Sequence, residues 1–141
     1  MNDLRFKAVL IIQLCAAAGL LTFIAFSRGE WNAQRWAGLI IAIPATILLF
    51  VARFQLGRSF AVRAQAHELV THGIYSKIRN PIYVFSAFLV LALALTLHNP
   101  AILAFLLILI PLQIVRARKE AAVLEAKFGD DYRRYRQQTW F

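Results

Sequence analysis

The chain has 141 residues, 60% of them apolar or aromatic and 16% charged, against roughly 45–50% and ~25% in an ordinary soluble domain. That balance excludes a conventional water-soluble domain. The net charge of +9 is read as basic residues facing an anionic leaflet rather than nucleic acid, because no basic aromatic surface is separable from the apolar runs.

Arg5 and Lys7 precede an apolar run over 8–26 that is too long for a signal-peptide core and ends in no A-x-A site. A helix rising about 1.5 Å per residue crosses the hydrocarbon in about 20 residues, so an uncleaved first span is expected over 5–26. The single cysteine, Cys15, lies inside it and excludes an intrachain disulfide. Ser27-Arg28-Gly29-Glu30 breaks the run, and Trp31 and Trp36 fall where interfacial indoles belong. A second span is expected over 36–54, kinked or loosened at Pro44. Arg53, Arg58 and Arg63 mark its far end, and Gly57 is its expected terminator.

A polar segment over 55–80 follows, with Arg58, Arg63, Lys77 and Arg79 set against Glu68. Leu69-Val70-Thr71 suits a brief extended stretch, and Gly73 permits a turn. Pro81 opens a third span over 81–97, where a proline in the first turn loses nothing. Asn80 before it suits an N-cap, and the free N–H groups of such a helix mouth suit a carboxylate. His98-Asn99-Pro100 reads as a tight turn into a fourth span over 101–115 that contains Pro111. Spans three and four then form a hairpin. From Arg116 onward Ala121, Leu124, Phe128, Tyr132 and Tyr135 recur at three- or four-residue spacing. This predicts an amphipathic helix, broken near Gly129-Asp130, lying on the membrane surface and folded back on the second loop.

The expected fold is all-α and integral to a membrane: four transmembrane helices plus a C-terminal amphipathic cytoplasmic helix, in a single domain over 1–141. Basic residues fix the orientation. Arg5 and Lys7, the loop cluster from Arg53 to Arg79, and the tail from Arg116 lie on one side, with Arg28 and Arg35 alone on the other. Both termini are therefore expected to be cytoplasmic, and segments 55–80 and 116–138 meet on that side.

Familiar soluble-enzyme motifs are absent: there is no H-E-x-x-H, P-loop, G-x-G-x-x-G or G-x-S-x-G. His67, His72 and His98 are not at ligand spacing, so no metal is expected. What stands out is L-V-T-H-G-I-Y-S-K-I-R-N-P-I-Y over 69–83. An apolar hairpin follows it, and then R-A-R-K-E-A-A-V-L-E-A-K-F-G-D-D-Y-R-R-Y over 116–135. Together these resemble the isoprenylcysteine carboxyl methyltransferases and the related phospholipid N-methyltransferases, integral membrane enzymes with a G-x-Y, an R-[HN]-P-x-Y, a hairpin, and a Glu shortly before F-G-x-x-Y. The resemblance covers about 56–135.

The resemblance implies S-adenosylmethionine as methyl donor. By position, His67, Leu69, Val70 and Tyr75 would line it, Asn80, Pro81 and Tyr83 would continue that wall, and Glu120 would take its ammonium. Arg116, one turn earlier, would face the acceptor and serve as the residue acting in catalysis. The chain departs from the pattern at Asn80, where His is commoner, at Phe85, where many members have Gly, and at Ala121, which replaces the second acid of a Glu-Glu pair. The roles agree with elementary chemistry. Tyr faces attract cations, and an acid suits an ammonium. An acceptor carboxylate is already ionised near neutral pH and needs a cation, not a base.

The function expected is methylation of the carboxylate of a prenylated or lipidic acceptor that enters from the bilayer, with membrane lipids as the surroundings and no nucleic acid partner. Methylation of a phospholipid amine, a nicotinamide-dependent reductase of similar architecture, and a non-catalytic membrane scaffold are the alternatives. A plain surface pair for Arg116 and Glu120, and interfacial belt roles for Tyr75 and Tyr83, stand beside the site reading.

Overall fold

The computed structural model describes residues 30–57 and 69–141, together with positions 8, 11, 12, 15, 18, 19, 21–23 and 26, which are helical. The expectations placed on Arg5, Lys7, Arg28, Arg58, Arg63, His67 and Glu68 lie outside the described residues. The described elements are helix α1 (Ala33–Leu56), a single 3-10 turn (Gly73–Ser76), and helices α2 (Pro81–Leu97), α3 (Pro100–Phe128) and α4 (Asp130–Gln138). The fold is all-α. Among the described residues the β contact is one isolated parallel bridge, Ile78 to Trp140.

α1 begins at Asn32, whose side chain accepts from the Arg35 N–H at 3.0 Å. It starts before Trp36, earlier than hydropathy alone suggests, because the cap rather than the apolar run fixes the first turn. It runs through Pro44 and ends where Gly57, at φ 49, donates to the Arg53 carbonyl. α2 has the bounds read from its sequence. It stops at His98, which is left-handed at φ 51 and returns its N–H to the Ala94 and Leu95 carbonyls.

The core of the bundle is built from small residues. Gly38, Ala42, Ala45 and Ala52 of α1 are buried, as are Ala92, Ala94 and Thr96 of α2. A Cβ on Gly38 would stand 2.1 Å from Thr96 Oγ1 and 2.8 Å from the Ala92 carbonyl. Backbones this close favour glycine, the usual device where apolar burial contributes little between helices. At the N-terminal end of α1 and the C-terminal end of α2, Asn32 bridges the two helices. Its oxygen is the cap acceptor, so its amide nitrogen meets His98 Nε2 at 2.7 Å. Arg35 is buried there, its guanidinium 4.4 Å above the Trp31 ring.

α3 corrects the reading of a fourth span over 101–115 followed by a separate helix. It is one helix of 29 residues, about 43 Å long at 1.5 Å per residue. Hydropathy changes sharply at Arg116, but the backbone has no reason to. Residues 116–128 are mostly Ala, Glu, Lys, Arg and Leu, all strong helix formers. The break comes at Gly129, φ 50, which donates to the Glu125 carbonyl and starts α4. The fold-back expected of the whole tail belongs to α4 and the residues after it.

α1 and α3 are long and apolar enough to cross a membrane, and α2 is apolar but shorter. On α3 the side chains of Leu107, Ile108 and Leu112 are exposed, as suits a helix face toward hydrocarbon. The protein is membrane-associated.

Candidate functional site

The C-terminal end of α1, the N-terminal end of α2 and the second half of α3 lie near the C-terminal segment, and the chemistry-bearing side chains collect there. Gln55, in the last turn of α1, accepts from the Ile74 N–H at 2.8 Å. Gly73 makes this approach possible. It sits at φ +61, and a Cβ on it would fall 2.3 Å from Gln55 Nε2, so the turn needs glycine on both counts. The turn buries Tyr75, only 5% exposed. Its hydroxyl has no hydrogen-bond partner among the described residues. Burial pushes that phenol well above the usual tyrosine range, the Tyr135 phenol adds to the effect, and the Arg53 charge opposes it.

The C-terminal segment closes over this turn. Tyr135 donates to the Tyr75 carbonyl at 2.8 Å, a buried bond spanning 60 residues. Its phenol is pushed up to about 12, first by burial and then by Tyr132, with Arg79 pulling the other way. Burial also raises the Tyr132 phenol, against Arg79 and Arg136. Beyond α4 the chain lies parallel to the segment before α2. The Trp140 N–H donates to the Lys77 carbonyl at 3.0 Å, the Arg79 N–H to the Trp140 carbonyl at 3.4 Å, and the Asn80 N–H to the Phe141 carbonyl at 3.0 Å.

α2 and α3 meet through a second set of polar contacts. The Tyr83 hydroxyl donates to Glu120 Oε1 at 2.6 Å. One turn along, Gln113 Nε2 donates to Ser86 Oγ at 2.8 Å, and Ser86 donates to the Tyr83 carbonyl at 2.9 Å. Gln113 and Ala117 are the buried residues of α3. They share a helix face with Glu120, with Arg116 at its flank. All four tyrosines of the chain, Tyr75, Tyr83, Tyr132 and Tyr135, lie in this one region around Arg53, Arg79 and Glu120.

Of the residues read from the sequence, Tyr75, Tyr83 and Glu120 come together. Leu69, Val70 and Asn80 are half-buried near them in the chain, and Pro81 is fully buried. His67 lies outside the described residues. Arg116 and Glu120 are exposed. The plain i,i+4 surface pair does not form between them; the described ion pairs of the tail are those of Arg133 with Glu125 and Asp130, and of Arg134 with Asp131.

Three expectations change. Asn80 occupies the cap position of α2 but makes no side-chain cap bond, since its φ −121, ψ 56 departs from the extended backbone that aims a cap side chain. The helix mouth is also less open to an anion than the sequence suggests, because the C-terminal carbonyls already take the Arg79 and Asn80 N–H groups. Leu69-Val70-Thr71 forms no strand. The extended pairing falls at Ile78 instead.

Sequence reasoning passed over Arg53, Gln55, Gln113, Tyr132 and Tyr135 as site residues. Gln113 carried a signal, as the one strongly polar side chain in the apolar run over 101–115. Arg53 carried one too, as a charge placed before the helix terminator at Gly57.

The family model described as phospholipid methyltransferase matches residues 33–131, from the first turn of α1 into α4. The chain belongs to the phospholipid methyltransferase family. It is similar to the probable protein-S-isoprenylcysteine O-methyltransferases of Oryza sativa subsp. indica and subsp. japonica. Each is 33% identical over 112 residues, covering 74% of this chain and 58% of the relative. It is also similar to the protein-S-isoprenylcysteine O-methyltransferase of Schizosaccharomyces pombe, 37% identical over 94 residues, 62% of this chain and 40% of that protein. The chain thus spans little more than half the length of the rice relatives it matches. No solved structure matches it.

Proposed function

We propose that this chain is a membrane methyltransferase that uses S-adenosylmethionine to methylate the carboxylate of a prenylated or lipidic acceptor. The observation that carries the reading is the Tyr83–Glu120 hydrogen bond. It joins the R-N-P-x-Y segment to the acid before F-G-x-x-Y, across the turn between α2 and α3. The names of the rice and fission-yeast relatives support the choice of acceptor.

The residues present fit such a donor. Glu120 is an exposed carboxylate held by a neighbouring phenol, and suits an ammonium. Tyr75 offers a buried hydroxyl without a partner among the described residues, and its ring with that of Tyr83 offers faces for a cation. Leu69, Val70, Asn80 and Pro81, with His67, complete the proposed wall. When bound, S-adenosylmethionine supplies a methyl already activated on positive sulfur. The chain's own tasks are to hold the two reactants in line and exclude water. Arg116 is the proposed acceptor residue. Its planar guanidinium suits a carboxylate, which it can pair with through two N–H groups. No general base is needed, because a carboxylate arrives ionised.

The proposed topology has four spans, over 5–26, 36–54, 81–97 and the apolar part of α3, in one domain with both termini cytoplasmic. The donor then enters from the cytoplasm and the acceptor from the bilayer.

The description of the matching family favours a second reading, N-methylation of a phospholipid amine. Incubation of the purified protein with isotopically labelled donor, prenyl thioether acids and a phospholipid panel separates the two. A base-labile methyl ester supports the carboxylate acceptor, and a base-stable N-methyl product overturns it in favour of the amine.

A further inference from the structure

Resting on the methyltransferase reading, we propose that Gln113 and Ser86 are positioning residues: they set the Tyr83 phenol against Glu120 and so shape the ammonium site of the methyl donor. Both lie outside the motifs over 69–83 and 116–135.

Their contacts form a relay. Ser86 has one hydroxyl hydrogen, and it goes to the Tyr83 carbonyl at 2.9 Å. The Ser86 oxygen can then only accept, which turns the nitrogen of the Gln113 amide toward it, at 2.8 Å. Tyr83 itself reaches back to α3, with its hydroxyl on Glu120 Oε1 at 2.6 Å. The start of α2 is thus tied to α3 twice, once by the Tyr83 side chain and once, through Ser86, at the Tyr83 carbonyl. Gln113 and Glu120 stand two turns apart on one face of α3, about 10 Å along its axis, with buried Ala117 between them.

The tie matters because α2 starts without a side-chain cap at Asn80, and uncapped helix ends fray. Tyr83 is the third residue of that helix, so slack in its turn would swing the phenol. α3 runs unbroken through both Gln113 and Glu120 and gives the two contacts one common support. Stability does not account for Gln113. A buried amide within an apolar helix is costly, and one hydrogen bond between such helices contributes little. Polar side chains kept at that cost mark functional sites.

Titration of S-adenosylmethionine into the detergent-purified full chain, followed by calorimetry, tests the relay in two backgrounds. Gln113→Leu and Ser86→Ala should each weaken donor binding about five-fold, with the melting temperature within about two degrees of wild type. In Tyr83→Phe, which has already lost the phenol, neither should weaken it further by more than about 1.5-fold. A change that only loosened the bundle would act equally in both backgrounds. Ser86→Thr keeps the hydroxyl and should stay within about two-fold of wild type. Equal losses in the two backgrounds, or full retention of affinity in Gln113→Leu and Ser86→Ala, overturn the assignment. If Gln113→Leu does not fold, Ser86→Ala decides by the same ratio.

A second readout needs no donor. With fluorotyrosine in place of the four tyrosines, the Tyr83 fluorine resonance is assigned by its loss in Tyr83→Phe. In Gln113→Leu it should move toward its position in Glu120→Ala, and a resonance that stays in place overturns the positioning role. A wild type that binds no donor removes the methyltransferase reading itself, and the resonance then decides whether Gln113 sets the Tyr83–Glu120 contact.

Discussion

The Tyr83 hydroxyl donates to Glu120 Oε1 across 2.6 Å, linking residues 37 positions apart on two different helices. A hydrogen bond to a charged group is stronger than a neutral one. It also fixes which carboxylate oxygen remains free for a ligand. Glu120→Gln keeps an acceptor for Tyr83 but removes the charge. Donor affinity is expected to fall about 10- to 100-fold, from the ~1.5–3 kcal/mol of a charged hydrogen bond, with little change in melting temperature. Tyr83→Phe should lose less. Calorimetric titration of both variants and the double variant checks this, and additive losses would show that the two residues act independently.

Tyr135 closes the C-terminal segment over the Tyr75 carbonyl. Tyr135→Phe leaves that buried carbonyl without its donor, and about 1–3 kcal/mol of stability should go with it. Thermal unfolding in detergent measures the loss. A melting temperature unchanged within a degree would mean that the contact contributes nothing.

The same phenol sets a pH dependence. Its value is raised from the ordinary tyrosine value of about 10 to about 12, so the fold favours the neutral form. The stability this contributes is fully present below about 10 and is lost as pH rises through about 12. Tyrosinate absorbance should therefore lag behind that of free tyrosine, and melting temperature should hold to about pH 9.5 before declining. In Tyr135→Phe both the lag and the decline should shrink.

Gly38→Ala should damage the α1–α2 contact more than the loss of any single polar bond between helices. Its Cβ would meet Thr96 Oγ1 and, less movably, the Ala92 carbonyl. Overpacking of this kind costs about 1–3 kcal/mol. Thr96→Ala in the same chain should restore only part, because the backbone oxygen remains. Gln113→Leu is the contrast. It removes one interhelical hydrogen bond, worth about 0.6 kcal/mol on average in a membrane, and Ser86 still has the Tyr83 carbonyl as acceptor. Unfolding midpoints of the three variants should rank in that order.

The sequence determined a good deal of this protein by itself. Apolar runs and punctuating Gly and Pro located α2 to the residue and the ends of α1 and α4 closely. The family resemblance of the paired motifs pointed to Tyr75, Tyr83 and Glu120, which the fold brings into one region. Other features were decided only by tertiary structure. Hydropathy reports solvent and not backbone continuity, so the end of the apolar run at Val115 looked like the end of a helix, although good helix formers carry α3 on to Phe128. Nothing local tells Asn80 that the Phe141 carbonyl will take its N–H, since that contact spans 61 positions. In the same way, Arg53 and Tyr135 read as a boundary charge and an amphipathic aromatic. Only the folding of α1, the Gly73 turn and α4 onto one another brings them to the Tyr75 ring.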